Sequence, residues 1–166
     1  MKKIIFLILF VLAATSSIAF AAQETWSGKT TAEQKLTKKE VRENLLLKRQ
    51  QINANHLQEL QLRKQVKAKV DDLQRHVKMV NKNRTLTPEK LALIKQSLGT
   101  VKTDLAALQG TAGGIVPKLA AFKSSLRNRD FVQAEADLDA IISVQQRRIE
   151  LMQRLLSNLD NLQKSL

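Results

Sequence analysis

The side chains that could do chemistry in this sequence are few and scattered. There are two histidines, His56 and His76, an adjacent pair Ser124-Ser125, two acids one helical turn apart, Glu135 and Asp139, and one glycine-rich run, Gly110-Thr111-Ala112-Gly113-Gly114. On a single helix the two histidines would stand roughly 30 Å apart, too far to share a metal, and neither has a second ligand at metal-binding spacing. Each reads as a surface or seam histidine. Glu135 and Asp139 have no histidine-containing ligand motif beside them, and the serines lack the glycine context of a nucleophile elbow. The glycine-rich run lacks the Lys-Ser/Thr of a phosphate-binding loop and follows a helical pattern where such a loop follows a strand, so it reads as a hinge. With no cysteine and no tyrosine in the chain, the expectation is a protein that is not an enzyme, with no catalytic residue, no cofactor and no metal site.

Charge is the stronger signal. The chain carries 28 Lys and Arg against 15 Asp and Glu, a formal net charge of +13. The excess is uneven: residues 23–84 hold 15 basic and 7 acidic residues, and residues 85–166 hold 11 and 8. In the basic half, Val66, Val70, Leu73, Val77 and Val80 recur at steps of four and three, one stripe of an α-helix. At 100° per residue Lys64, Lys67, Asp71, Arg75, Lys78 and Lys82 fall on the far side. The residues expected to meet an anionic partner are therefore Arg63, Lys64, Lys67, Arg75, Lys78 and Lys82. An anionic envelope polymer, a lipid surface or an acidic protein would satisfy them. Nucleic acid fits poorly, because the cations are not interleaved with aromatics for base stacking and the chain carries an export-type leader.

That leader is residues 1–21. Lys2 and Lys3 form a positive start, Ile4 to Ala14 an apolar run, and Ala19-Phe20-Ala21 a small-residue cleavage site before Ala22. The expectation is a signal peptide and a periplasmic or extracellular mature chain; the alternative is an uncleaved N-terminal anchor, since Ile4 to Ala22 carries no charge. Residues 22–36 are polar, with Gly28 and a single large apolar residue, Trp26, and read as a flexible leader in which Trp26 is an incidental docking residue.

The remainder, residues 37–166, divides at its breakers. Thr37-Lys38-Lys39-Glu40 has capping-box spacing and should open a helix over about 38–82. Asn53-Ala54-Asn55 is its weakest point, yet a continuous helix is expected. Upstream of Leu62 the apolar residues Val41, Leu45, Ile52, Leu57 and Leu60 keep no single register. Thr87-Pro88-Glu89 then starts a helix over about 88–109, with an N-cap, a proline at N1 and an acid in the first turn. Its seam is Leu91, Ile94, Leu98, Val101, Leu105 and Leu108, at coiled-coil spacing. Gly99 interrupts it, as a close helix crossing would explain. The short connection makes the first two helices antiparallel.

A short helix over about 116–127, opened by Pro117, turns Leu119, Phe122 and Leu126 inward. Asp130 caps the last helix, over about 131–165, with Gln133 at the capping-box position. Its seam runs through Leu138, Ile141, Ile142, Gln145, Ile149, Met152, Leu156 and Leu159. Asp130, Glu135, Asp137 and Asp139 crowd its start, where they favour the helix dipole or pair with cations of the first helix.

Leu36-Thr37-Lys38-Lys39-Glu40 and Leu86-Thr87-Pro88-Glu89-Lys90 resemble the Leu-Thr-x-x-Gln motif that precedes helices in the Spy/CpxP family of small, exported, all-helical periplasmic proteins. Glu40 and Lys90 stand where that motif has glutamine. The resemblance implies a cationic, dimeric surface acting as an ATP-independent chaperone or stress protein.

The sequence thus predicts an all-α fold: an elongated antiparallel helical bundle or coiled coil of three long helices plus one short helix. The function expected is that of an exported, non-enzymatic binding or structural protein whose basic helix face meets an anionic envelope or protein partner. A twofold homodimer would cover the unmatched apolar residues upstream of Leu62.

Overall fold

The computed structural model describes residues 32–83 and 87–166, with side chains described over 39–80 and 87–166. The expected signal peptide, Trp26 and the leader up to residue 31 lie outside the described residues. Four helices account for nearly all that is described, and no strand occurs among these residues: α1 Ala32–Asn83, α2 Pro88–Gly110, α3 Ile115–Arg127 and α4 Phe131–Ser165. The protein is an all-α helical bundle.

Helix α1 is 52 residues long and unbroken through Asn53-Ala54-Asn55. It starts earlier than its local capping signal indicates, so residues 32–36 belong to the helix and not to a flexible leader. The physical reason is that Ala-Glu-Gln-Lys-Leu are strong helix formers with no glycine or proline among them, so one further turn is favoured over a stop at Thr37. Thr37 to Glu40 consequently sits inside the helix, where capping has no role. At α2 the cap behaves as expected: the Thr87 side chain accepts a hydrogen bond from the Lys90 amide at 3.3 Å, and Pro88 occupies the first turn.

Helix α3 begins at Ile115, before Pro117, which is tolerated because the amides of a first turn have no partner within the helix. The α3–α4 turn has Schellman geometry, the Arg129 amide donating to the Leu126 carbonyl and the Asp130 amide to the Ser125 carbonyl. Its left-handed position is Arg129, at φ 60°. Asp130 then caps α4, its carboxylate accepting from the Gln133 amide at 3.0 Å. Gln133 does not complete the expected reciprocal box, because its side chain donates to Asp137, also at 3.0 Å.

The packing gathers these helices into two compact units. Unit 1 comprises Gln58–Ala112 and Arg147–Leu166, and unit 2 comprises the described part of Ser17–Leu57 with Gly113–Gln146.

In unit 1 the core takes Leu62, Val66, Val70 and Leu73 from α1 and Ile94, Val101, Leu105 and Leu108 from α2. From α4 it takes Ile149, Leu151, Met152, Leu155, Leu159 and Leu162. The α4 seam is therefore carried by Leu155, with Leu156 only partly buried. Helices α1 and α4 are parallel here, since Glu59 meets Arg148, Lys69 meets Asp160 and Asp72 meets Gln163, both partners advancing together. Among three mutually packed helices in up-down-up order, one pair must be parallel, and it is this one. Two expectations for α2 fail. Leu91 is exposed although it keeps seam spacing, and a Cβ built on Gly99 meets nothing within 4 Å, so no close crossing explains that glycine.

In unit 2 a smaller core joins Ile52 of α1, Phe122 of α3 and Ala134, Leu138, Ile141 and Ile142 of α4, with Leu45, Leu119 and Leu126 packed beside it. Lys48 pairs with Asp139, and the Gln145 amide donates to the Ile52 carbonyl at 3.2 Å, again with α1 and α4 advancing in the same direction. The Arg49 guanidinium lies 5.5 Å over the Phe122 ring. Of the acids at the start of α4, Asp139 thus pairs with a cation of α1, while Asp137 is buried against Ser125 at 2.7 Å.

Candidate functional site

The α1 segment of unit 1 carries the charge pattern that singles it out. Burying Val66, Val70 and Leu73 fixes the rotation of the helix, and a residue 180° away from that stripe must then face solvent. Lys64, Lys67, Asp71, Arg75 and Lys78 are all exposed. Lys64 and Lys78 stand about 21 Å apart along the helix. Arg75 is shared with a neighbour, its Nη2 lying 3.3 Å from Asp72 Oδ1. The backbone of Lys82 continues this row, and its side chain lies outside those described.

Arg63 sits apart from the row. It precedes Lys64 by one residue and so points 100° round the helix, where it is largely buried, with Nη2 3.6 Å from Glu59 Oε2. The same carboxylate oxygen lies 3.1 Å from Arg148 Nη2, and Glu59 and Arg148 are only 1 % and 3 % exposed. Burial pushes the Glu59 carboxyl above its ordinary range, the two guanidinium groups only partly opposing this. Burial likewise lowers both Arg63 and Arg148 from their usual values, with Glu59 opposing. Here desolvation outweighs attraction for all three groups, which marks the cluster as an interior ion network and not as a binding surface.

A second interior carboxylate, Asp104 of α2, is 3 % exposed and accepts from Arg154 Nε at 2.6 Å and from the Asn158 side chain. Sequence reasoning passed over both clusters, although the signal was present. Asp104 follows Val101 by three and precedes Leu108 by four, and Arg148 stands in the same relation to Gln145 and Met152. A charge at seam spacing lies on the inward stripe, and where another helix covers that stripe the charge requires a partner.

The remaining chemical candidates stay dispersed. His56 and His76 are each partly buried, and among the described residues no group of three His, Asp or Glu side chains is placed to hold a metal ion. Ser125 is buried and engaged with the Ala121 carbonyl and Asp137. Gly113 takes φ 77°, the conformation for which a turn selects glycine. Among the described residues no helix is long and apolar enough to cross a membrane. Of the two Leu-Thr segments, the one at Thr87 caps a helix and the one at Thr37 lies within one.

Neither the protein-family models, nor characterised proteins, nor solved structures give a match to this chain. The site must therefore be judged on its own geometry.

Proposed function

We propose that this chain is an exported, non-enzymatic binding or structural protein of the cell envelope or extracellular space, and that the outer face of α1 in unit 1 meets an anionic partner. The observation that carries this reading is the solvent-facing row Lys64, Lys67, Arg75 and Lys78, interrupted only by Asp71. Exposed lysines keep their mobility and hydration and contribute little to folding, so a row of them with few acids is better explained by an external anion than by stability. Arg63 is left out of the binding row because Glu59 already engages it.

The test is binding of the chain to anionic vesicles and to a soluble polyanion as salt is raised. Binding that weakens with salt is expected, and replacing Lys67, Arg75 and Lys78 together by glutamate should abolish it. Unchanged binding by that triple variant would sink the proposal.

A second reading, an ATP-independent chaperone, draws on unit 2, where Leu46, Leu47, Leu57, Val116 and Val132 are all exposed. Apolar side chains left in water can hold non-native clients. Suppression of aggregation of a denatured substrate without ATP, lost on changing Leu46 and Leu47 to serine, would favour it.

A further inference from the structure

From Asn44 to Leu57 every exposed residue of α1 is Leu, Asn, Gln or Ala, in a chain of which 26 % of the residues are charged. The two charged residues of that stretch are engaged within the bundle, Lys48 with Asp139 and Arg49 over Phe122. A helix face left in water normally carries charge, so a face without it is suited to another helix. Leu46, Gln50, Asn53 and Leu57, all exposed, recur at steps of four, three and four, the spacing of a coiled-coil seam. All four belong to one helix and lie within about 40° of Leu46 around its axis, so they form a single stripe. Leu46 and Leu57 are 55 % and 61 % exposed, and the exposed Leu47 and Ala54 flank the stripe on one side.

We infer that a second copy of this chain covers this face, its α1 lying antiparallel across a twofold axis that passes between Gln50 and Asn53. A twofold contact must be its own complement, residue i meeting j wherever j meets i. Reversed about that axis, the stripe sets Leu46 on Leu57 of the second copy and Gln50 on its Asn53, leucine on leucine and amide on amide. Beside it Leu47 meets Ala54, a large side chain against a small one. The two amides can each donate and accept, so covering them leaves neither unpaired. The order leucine, amide, amide, leucine is matched by the same order reversed, which this chain itself supplies. A parallel pair would carry on into the cationic row and set Lys64 and Lys67 each against its own copy, whereas antiparallel helices carry the two rows apart. The formal charge of +13 acts in the same sense, since copies repel each other least where the surface is uncharged. The bundle already holds α1 helical, so pairing costs little further ordering. The stripe shares no residue with the row Lys64 to Lys78, and the inference goes beyond the anionic-partner reading without resting on it.

The experiment is sedimentation equilibrium of the full chain from micromolar to submillimolar protein, without lipid or polyanion. A mass rising to twice that of the monomer is expected. Leu46→Glu/Leu57→Glu should move the monomer–dimer midpoint to about tenfold higher protein or more. Gln50→Leu/Asn53→Leu, which replaces the amide layers, should move it about tenfold the other way. All four side chains are exposed in one copy, so circular dichroism should show parental helix content in both variants. Because the chain has no cysteine, a short thiol crosslinker can read the orientation. An equal mixture of Leu46→Cys and Leu57→Cys chains should join, while Leu46→Cys alone should not, its two copies standing about 16 Å apart along an antiparallel pair. A chain that stays monomeric, association that the glutamate pair leaves unchanged, or crosslinking of Leu46→Cys alone as complete as that of the mixture would overturn the inference. None of these outcomes bears on the anionic-partner reading, whose failure shows in the vesicle and polyanion titrations.

Discussion

Unit 1 and unit 2 use the same three-helix packing, yet they distribute apolar and polar side chains differently. Unit 1 buries a long aliphatic seam from α1, α2 and α4 and places charge within it, Glu59 paired with the buried Arg148 and the buried Asp104 met by the exposed Arg154. Unit 2 has a shorter core centred on Phe122, with its main ion pair, Lys48–Asp139, at the margin and several leucines and valines left in water. The contrast lies in the partner of the buried acid: guanidinium groups hold Glu59 and Asp104 in unit 1, whereas the neutral Ser125 and Gln133 hold Asp137 in unit 2. Apolar burial supplies the stability that a desolvated ion network consumes, and in return the network fixes which turn of α1 faces which turn of α4.

The sharpest way to break that comparison is at Glu59. Glu59→Ala should destabilise by roughly 3–5 kcal/mol, because it leaves Arg148 and Arg63 buried without their carboxylate. The combined Glu59→Leu/Arg148→Met exchange should recover most of that loss, and chemical denaturation of the two variants measures the difference. The cluster also sets a sign for pH. Since the folded chain raises the Glu59 carboxyl above its ordinary 4.5, the native state holds that proton more tightly than the unfolded one. Stability contributed by this group must therefore fall as pH rises from about 4.5 through the raised value, and Glu59→Gln should remove that slope from a pH series of melts.

In unit 2 the corresponding loss is one of packing. Phe122→Ala empties the centre of the small core and removes the face over which Arg49 lies, so about 3–5 kcal/mol should be lost. Leu105→Ala in unit 1, with more aliphatic neighbours to relax around it, should cost about 2–4 kcal/mol. If Leu105→Ala proves the more damaging, the smaller core is the better supported one and the contrast is reversed.

The smallest effects sharpen the comparison at the backbone. Gly99 in unit 1 is an exposed helical glycine with open space where a Cβ would be, so Gly99→Ala should stabilise by about 0.5–1 kcal/mol. Arg129 in unit 2 occupies the left-handed position of its turn at φ 60°, so Arg129→Gly should stabilise by about 1 kcal/mol. Thermal melts distinguish a gain from a loss in each case. A loss at position 99 would show that the glycine serves something other than the fold.

Much of this arrangement was legible before any coordinates. Angular periodicity placed Val66, Val70 and Leu73 inside and Lys64, Lys67, Arg75 and Lys78 outside, because one helix geometry dictates both statements. The Thr87 and Asp130 caps were legible for the same local reason: each acts within three residues of itself. The signals that misled were also local. Thr37 has the spacing of a cap, but whether it starts a helix depends on whether the residues before it prefer to be helical, and they do. Leu91 keeps the seam spacing of α2, but a seam position is buried only if another helix reaches it. Arg63 was grouped with its cationic neighbours, although a shift of one residue turns it toward Glu59.

By itself, then, the amino-acid sequence determined the helices, their inward stripes, most of their caps and the cationic outer face of α1. These follow from backbone geometry and side-chain type over a few residues. Only the tertiary structure decided which charges are interior partners, the parallel pairing of α1 with α4, the division into two cores and the exposure of Leu91. Those outcomes depend on contacts between residues some 50 to 90 positions apart, such as Asp104 with Arg154 and Asp72 with Gln163. No periodicity within one helix records which segment will lie against it.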